Sequence, residues 1–564
     1  MSLLEQHFDV AFAAPDGIKK LRELILTLAM QGKLVPQDPN DEPASELLRS
    51  IEVEKKRLVK EGKIKQAKHL PEIEPEEVPY VLPDGWKWVR LGSISTKLTD
   101  GSHNPPKDSG IGYPMLSSQN VNFGKIDFSN PSRYVSESDF HSENKRTKIF
   151  PNDILLTIVA SLGRPAVVPE NAPKFVLQRS VAVISTPISS DFLCRHLGSP
   201  LCINYYLEHG KGTAQKGIYL GQLNNMPIAL PPFAEQRRIV AKIDQLMARC
   251  DELEKLRVDR SQRLLTVHTA ALDRLLTAKD SSEFSTAWSF ITQHFGELYS
   301  VKENVVELRK TILQLAVMGK LVRQDPNDEP ASELLRSIEL EKQRLVKEGK
   351  IKAQNSLPKI KPEEMPYALP KGWEWCRWND VALKIGDIDH KMPMEVDNGV
   401  PYVSPRDFFG ENEINFKQAK KISVQDFEKL RLKIQPEKFD IIFPRYGTLG
   451  VNRFVLVDTD FLASYSCAII KNLKEFINPK YSYYYSISKL VRKEIERYTK
   501  KTTQANVGVK SIQVFLYPLP PLAEQRRIVE KIDRLMGMCD RLEESIESAK
   551  GKQTYLLNAL MSQV

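Results

Sequence analysis

The stretch Pro231-Pro-Phe-Ala-Glu-Gln-Arg-Arg-Ile-Val-Ala-Lys-Ile-Asp244 returns almost letter for letter as Pro520-Pro-Leu-Ala-Glu-Gln-Arg-Arg-Ile-Val-Glu-Lys-Ile-Asp533. A chain with such a repeat folds as repeated units, so this duplication limits the architecture before any local feature does. Neither proline pair can lie inside a helix, so a helix starts just after each. Beyond the first pair, Ile239, Ile243, Leu246, Cys250 and Leu253 step by four, three, four, three; Ile528, Ile532, Leu535, Cys539, Leu542 and Ile546 do the same. Apolar residues at that spacing form a narrow seam that needs a partner helix. The simplest partner for each seam is its own copy, which predicts paired, antiparallel, coiled-coil-like spacer helices. Two unrelated amphipathic helices on separate cores are the alternative.

The repeat reaches well beyond the motif. Residues 324–339 are identical to residues 37–52, at an offset of about 287 (Gly32 to Gly319). Ile18, Leu21, Leu24, Ile25 and Leu28 share one face of a helix expected over 17–31, with Gly32 as its stop. A second helix is expected over 44–61, closed by Gly62. Pro71, Pro75, Pro79 and Pro83 among charges make 63–83 a stiff extended linker. Leu82-Pro-Asp-Gly-Trp86, echoed by Leu369-Pro-Lys-Gly-Trp373, opens a region of short strand-like runs (113–116, 154–159, 166–168, 180–184) with a helix around 192–207. A polar stretch at 278–286 interrupts the helical centre.

The second such region has the same layout in different letters. Phe439-Asp-Ile-Ile-Phe-Pro-Arg-Tyr-Gly-Thr-Leu-Gly450 stands where Asn152-Asp-Ile-Leu-Leu-Thr-Ile-Val-Ala-Ser-Leu-Gly163 stands in the first. The expected fold class is α+β: two globular domains separated by long helices, with an internal pseudo-two-fold repeat. The expected domains are 1–83 (helical region and linker), 84–232 (globular), 233–369 (central helical region), 370–519 (globular) and 520–564 (spacer helix). A scaffold copied nearly verbatim around two diverged domains is what two readers of different targets require.

Net charge is +9 with a sequence pI near 8.9, which suits a polyanionic partner without demanding one. No run approaches the roughly 18 apolar residues of a membrane span. The first residues lack a basic region followed by an apolar core, so no signal peptide is expected and a cytoplasmic location is. The six cysteines, at 194, 202, 250, 376, 467 and 539, form no Cys-x-x-Cys and read as small core residues in a reducing compartment. The nine histidines show no metal-ligand spacing.

Catalysis by this chain is not expected. An adenine methyltransferase would need a glycine-rich cofactor loop and an Asn/Asp-Pro-Pro-aromatic motif. Asn104-Pro105-Pro106 is followed by Lys107, and Leu230-Pro-Pro-Phe233 lacks the Asn. No Gly-x-x-x-x-Gly-Lys-Ser/Thr loop is present. Glu54-Lys-Lys56 lies on a charged helix face, and its repeat carries Gln343 in a lysine position. A standalone methyltransferase and a helical adaptor without nucleic-acid function are the rival readings. Steep salt dependence of binding separates the adaptor from a DNA reader.

The duplicated Pro-Pro-x-Ala-Glu-Gln-Arg-Arg-Ile-Val motif, with the paired Leu-Pro-x-Gly-Trp openings, resembles the DNA-specificity subunits of type I restriction-modification enzymes, over essentially the whole chain. The resemblance implies two target-recognition domains, each reading one half of a split, asymmetric site on double-stranded DNA. It implies a scaffold for two methyltransferase subunits, joined by up to two restriction (motor-nuclease) subunits, in bacterial defence. S-adenosylmethionine, ATP and magnesium are then expected on those partners and no cofactor on this chain.

Base edges are read by Arg, Lys, Asn, Gln, Ser and Thr from loops, while basic residues hold phosphates. The candidates in the first domain are Ser102, His103 and Asn104; Ser118, Gln119 and Asn120; Ser161 with Arg164; and Lys211, Thr213, Gln215 and Lys216. In the second they are Arg406; Arg445, Tyr446 and Thr448; and Lys500, Lys501, Thr502, Thr503, Gln504 and Asn506. Arg445 follows an apolar run, Ile441-Ile-Phe443, and is expected to point outward. Glu235, Gln236, Arg237 and Arg238, with Glu524, Gln525, Arg526 and Arg527, start the spacer helices and are expected to meet partner subunits, or for the four arginines the scaffold, rather than bases.

Overall fold

The computed structural model describes residues 6–66, 69–212, 216–353, 356–388, 390–499 and 505–562. The chain divides into two compact units, residues 1–259 with 549–564 and residues 260–548.

The first unit begins with α1 (Gly17–Met30) and α2 (Ala44–Lys60). Gly32 ends α1 at φ +69, and a Cβ there would meet the Pro83 ring at 2.4 Å. Glycine therefore serves both as helix stop and as the seat for the Leu-Pro-x-Gly-Trp segment. The linker is pinned along the domain: Arg90 donates to Pro71 O at 3.1 Å and pairs with Glu77 at 2.7 Å.

β1 (Lys87–Arg90) pairs antiparallel with a strand that closes the domain, Pro227–Leu230. Between them run β2 (Lys97–Asp100), β3 (Tyr113–Leu116), β4 (Arg133–Val135), α3 (Glu137–Thr147), β5 (Ile154–Thr157), β6 (Pro165–Val167), β7 (Val176–Leu177) and β8 (Val181–Ser185). Two helices, α4 (Ser190–Leu197) and α5 (Pro200–His209), lead to β9, the closing strand. One helix was expected over 192–207. Pro200 at the start of α5 breaks it, because proline cannot continue a helix.

β2-β8-β5-β6 form an antiparallel sheet, and β4-β3-β7 a smaller mixed one. The larger sheet is buried on both faces. Ile154, Leu156, Ala182 and Ile184 pack into the main core, whereas Leu155, Val181 and Val183 pack into a second core with Leu116 and Val121. Burial on both sides explains why Ile154-Leu-Leu156 reads as a continuous apolar run rather than an alternation. The long helix α6 (Phe233–Thr277) follows.

The second unit repeats this order after α7 (Ser281–Gln293), which takes up most of the stretch expected to be irregular. Asp280 caps α7 with its side chain. Then come α8 (Lys302–Val317), α9 (Ala331–Lys347), β10 (Glu374–Arg377), β11 (Ala382–Gly386), β12 (Val400–Val403), β13 (Lys420–Ile422), α10 (Val424–Arg431), β14 (Ile441–Pro444), β15 (Arg453–Phe454), β16 (Leu462–Ala463), β17 (Cys467–Asn472), α11 (Pro479–Ser486), α12 (Lys489–Tyr498), β18 (Leu516–Leu519) and α13 (Leu522–Met561). The sheet orders, β11-β17-β14-β15 and β13-β12-β16, match those of the first unit. The fold class is thus the α+β repeat with long helices.

The long helices meet as expected within the second unit, where Ala271, Leu272 and Leu275 of α6 share a core with Cys539 and Ile546 of α13, and a short helix adds to the cover of each seam. Ile239, Ile243 and Cys250 share a core with Ile25, Ala29 and Met30 of α1, and Arg22 of α1 bonds Glu254 at 3.0 Å. In the second unit Ile528, Ile532, Cys539 and Ile546 share a core with Ile312, Leu315 and Ala316 of α8, and Arg309 meets Glu543 at 3.4 Å. The short repeated helix thus lies along the seam of its own unit. A short amphipathic helix closes this part of the seam because its apolar face would otherwise be left to water.

All six cysteines are unpaired and buried. Among the described residues no helix is long and apolar enough to cross a membrane.

Candidate nucleic-acid interface

The duplicated motif forms a hub inside each unit. Glu235, in the first turn of α6, accepts from the indole Nε1 of Trp86 at 2.9 Å and from Gln37 Nε2 at 3.2 Å. Gln236 accepts from Ser189 N and donates to Pro231 O, both at 3.1 Å. Arg238 pairs with Asp41, Nη1 to Oδ1 at 3.2 Å. The second unit repeats every contact: Glu524 with Trp373 and Gln324, both at 2.9 Å, Gln525 with Asn478 N at 2.8 Å, and Arg527 with Asp328 at 3.2 Å. Burial pushes the Glu235 and Glu524 carboxyls up from their ordinary range, against the pull of their two donors.

Four of these side chains, Glu235, Gln236, Glu524 and Gln525, were expected to face partner subunits and are buried instead, while Arg238 and Arg527, at 37 % side-chain exposure, make the scaffold contact that was the alternative for them. The structure spends all six within the unit, tying the spacer helix to the N-terminal repeat, to the Leu-Pro-x-Gly-Trp segment and to the globular domain. Buried polar groups demand such partners, and the helix start is the point where all three segments converge. Arg237 and Arg526 remain exposed.

Hydrogen bonds join the described parts of the loop clusters picked from the sequence in the first domain. The turn after β5 is zipped to the 211–217 loop: Ala160 N donates to Lys216 O at 3.0 Å and Ile218 N to Ile158 O at 2.9 Å. Arg164 Nη2 donates to Ser118 O at 2.8 Å, and Ser118 N to Ser180 Oγ at 3.0 Å. Ser102 N donates to Leu177 O at 2.7 Å, and Arg179 N to Ser102 O at 2.9 Å. Ala160 sits at φ 65, a left-handed conformation that costs a non-glycine residue about 1 kcal/mol or more. Its counterpart in the second unit is Gly447, at φ 73.

The same zipper recurs in the second domain. Gly447 N donates to Ala505 O at 3.3 Å, Val507 N to Arg445 O at 3.0 Å, and Tyr446 bridges Asn506.

Individual candidates separate by exposure. His103, Asn104, Gln119, Ser161, Lys211 and Lys216 are exposed, as are Arg406 and Thr448 in the second domain. Ser118, Arg164 and Tyr446 are half-buried. Ser102 and Asn120 are buried and committed to the fold: Ser102 Oγ donates to Glu143 at 3.0 Å, and Asn120 Nδ2 to Asn130 O at 2.7 Å. Thr213, Gln215, Lys500, Lys501, Thr502, Thr503 and Gln504 lie outside the described residues.

Arg445 corrects the sharpest expectation. Its guanidinium turns inward, pairing with Asp387 and donating to Val507 O at 3.1 Å and Tyr465 O at 3.2 Å. Its side chain is only 7 % exposed. The buried strand before it carries the chain directly into the zipper, so position 445 falls on the interior side.

Gln119 and Arg406 occupy the same place in the two domains. Each is the middle residue of a short 3₁₀ turn, Ser118–Asn120 or Pro405–Asp407, closed by a capping box from Ser117 or Ser404. A polar side chain on a turn locked at both ends is pre-organised for recognition.

Two exposed residues on this surface were not singled out from the sequence. Arg179 adjoins Ser102 on the β7–β8 turn, and a single Arg after an apolar run gave no signal. His390 stacks on Tyr465 at 5.1 Å between ring centroids. Its signal was available: it stands at the repeat offset from His103. Among the described residues no group of three His, Cys, Asp or Glu side chains could hold a metal ion.

The chain matches the family model for the type I restriction modification DNA specificity domain twice, over residues 83–260 and 370–549. It is 36 % identical to the type I restriction enzyme EcoAI specificity subunit of Escherichia coli, covering 96 % of this chain and 93 % of that protein. It is 34 % identical to the EcoEI specificity subunit of the same organism, over the same shares. A solved chain from a study of the assembly and conformational transition of the type I R-M system aligns at TM-score 0.43 and 19 % identity, covering 86 % of this chain and 98 % of that one.

Proposed function

This chain belongs to the type I restriction-modification DNA-specificity family, and on that premise we propose that it reads a bipartite, asymmetric site on double-stranded DNA. Each globular domain reads one half through its joined loops. The observation that carries this reading is the contrast within the repeat. The hub around Glu235 is rebuilt contact for contact around Glu524, while exposed loop residues at matching places, such as Gln119 and Arg406, differ between the domains. A copied frame holding two different reading faces suits two different half-sites.

Gln119 and Arg406 are the leading base readers. A glutamine amide pairs bidentately with adenine, and an arginine guanidinium with guanine, in the major groove. Lys211, Lys216 and Arg179 are placed to neutralise phosphates. Arg237 and Arg526, exposed at the starts of α6 and α13, are left to meet partner subunits.

In this reading the chain carries no catalytic residue. It scaffolds two methyltransferase subunits, with up to two restriction subunits, in the cytoplasm of a bacterium. S-adenosylmethionine, ATP and magnesium belong to those partners.

The test is a methylome. The chain is expressed with its modification subunit in a methylation-free host, and methyladenine is mapped across the genome. A split motif with one modified adenine in each half, lost when this chain is omitted, is the expected result. Methylation by this chain alone would contradict the non-catalytic reading.

A further inference from the structure

The two recognition domains differ in their loop letters, yet some polar pairs survive in both: Ser136 and Asp139 recur as Ser423 and Asp426, where each pair caps a helix, and a second pair caps none among the described residues. Asp100 and His103 recur as Asp387 and His390, at the same 287-residue offset that separates Gly32 from Gly319. In the first domain His103 Nε2 lies 2.8 Å from Asp100 Oδ2, and Arg146 of α3 bonds the other carboxylate oxygen at 2.7 Å. In the second, His390 Nε2 lies 3.4 Å from Asp387 Oδ2, and the arginine is Arg445, from the turn after β14.

The arginines come from different elements, so the surrounding fold is not what preserves the pair. What is kept is an aspartate largely buried, at 10 % and 16 % side-chain exposure, and a histidine that stays open, at 52 % and 61 %. A histidine retained only to fill a core would not be exposed in both copies.

Residues that discriminate bases must differ between two domains that read different half-sites. A residue kept in both meets something the half-sites share, and every half-site shares its sugar–phosphate backbone. The charge arrangement fits. Each aspartate is paired with its arginine, which offsets its repulsion of a phosphate, while Glu143 on α3 keeps its charge and accepts from Ser102 Oγ. With Nε2 of His103 hydrogen-bonded to Asp100, and His390 set by its 3.4 Å contact to Asp387 and its stack on Tyr465, Nδ1 is the nitrogen left to donate from a ring that carries both protons.

We propose that His103 and His390 anchor the two half-sites, each imidazole being oriented by its aspartate to donate to a DNA phosphate irrespective of the bases read. This rests on the DNA-specificity reading above.

The experiment uses the complex of the full chain with its modification subunits, on one duplex carrying the methylated motif and one with the motif scrambled. His103→Gln and His390→Gln weaken binding to both duplexes by the same factor, about five- to tenfold. His103→Arg and His390→Arg restore it, and the methylated motif keeps every letter. A single neutral methylphosphonate at the contacted phosphate weakens the wild-type complex and leaves the Gln variant unchanged. Relaxation of one letter of the motif would make the histidine a base reader and overturn the proposal. So would unchanged affinity in the Gln variants of a complex whose wild type methylates a split motif. A wild-type complex that methylates no such motif would defeat the DNA-specificity reading first, and this inference with it.

Discussion

The indole N–H of Trp86 donates to the carboxylate of Glu235 at 2.9 Å, across 149 positions of chain, and Trp373 does the same to Glu524 at 2.9 Å. The glutamate takes a second donor from Gln37 or Gln324, so one carboxylate joins three segments distant in sequence.

Glu235→Ala leaves the Trp86 and Gln37 donors without their acceptor. The first unit is expected to lose about 1–3 kcal/mol of stability, read by denaturant unfolding. Glu235→Gln should also destabilise it, because the amide places one donor against another. The letters of the methylated motif should not change, since none of the hub's hydrogen bonds among the described residues reaches a candidate reading residue.

Arg445→Ala leaves Asp387 largely buried without its guanidinium. Breaking such a pair costs about 3–5 kcal/mol. The expected outcome is a lower melting temperature and loss of methylation in the whole second half-site. A stable variant that relaxes a single letter would show that Arg445 reaches a base.

Arg406→Ala should behave in the opposite way. Its side chain is exposed on a locked turn, so the fold should keep its stability while one position of the second half-site is relaxed by about 1–3 kcal/mol. Competition binding with single-base variants of the site measures this, and the first half-site should be unaffected.

His196 supplies a pH dependence. It is fully buried, its Nε2 accepts from Ala229 N at 3.1 Å, and burial pushes it down to about 4. An unfolded histidine titrates near 6.5. The folded state therefore binds fewer protons between these values, and stability falls as pH drops through that window and levels off below it. The loss is on the order of 3 kcal/mol. His196→Gln should show a smaller fall in melting temperature between pH 7 and pH 4.5 than the wild type. His268 in the second unit, also pushed down to about 4 by burial, should act in the same direction.

The repeat, the long helices, the α+β class and the strands β3, β5, β6, β8 and β14 were legible in the sequence because they rest on local signals. Proline pairs stop helices, heptads make seams, and apolar runs mark buried strands. The loop clusters of the candidate interface were legible as clusters of polar residues. Their joining was not, because the bonds from Ala160 to Lys216 and from Arg164 to Ser118 join segments 56 and 46 positions apart. Only the tertiary structure could turn Arg445 inward and the hub glutamates toward tryptophans. Whether a charged side chain faces water or a partner depends on what packs over it, and that partner is chosen by the fold rather than by sequence neighbours. The covers of the seams follow the same rule: periodicity pointed to the other long helix, which Ala271, Leu272 and Leu275 bear out beside Cys539 and Ile546, and only packing added α1 and α8.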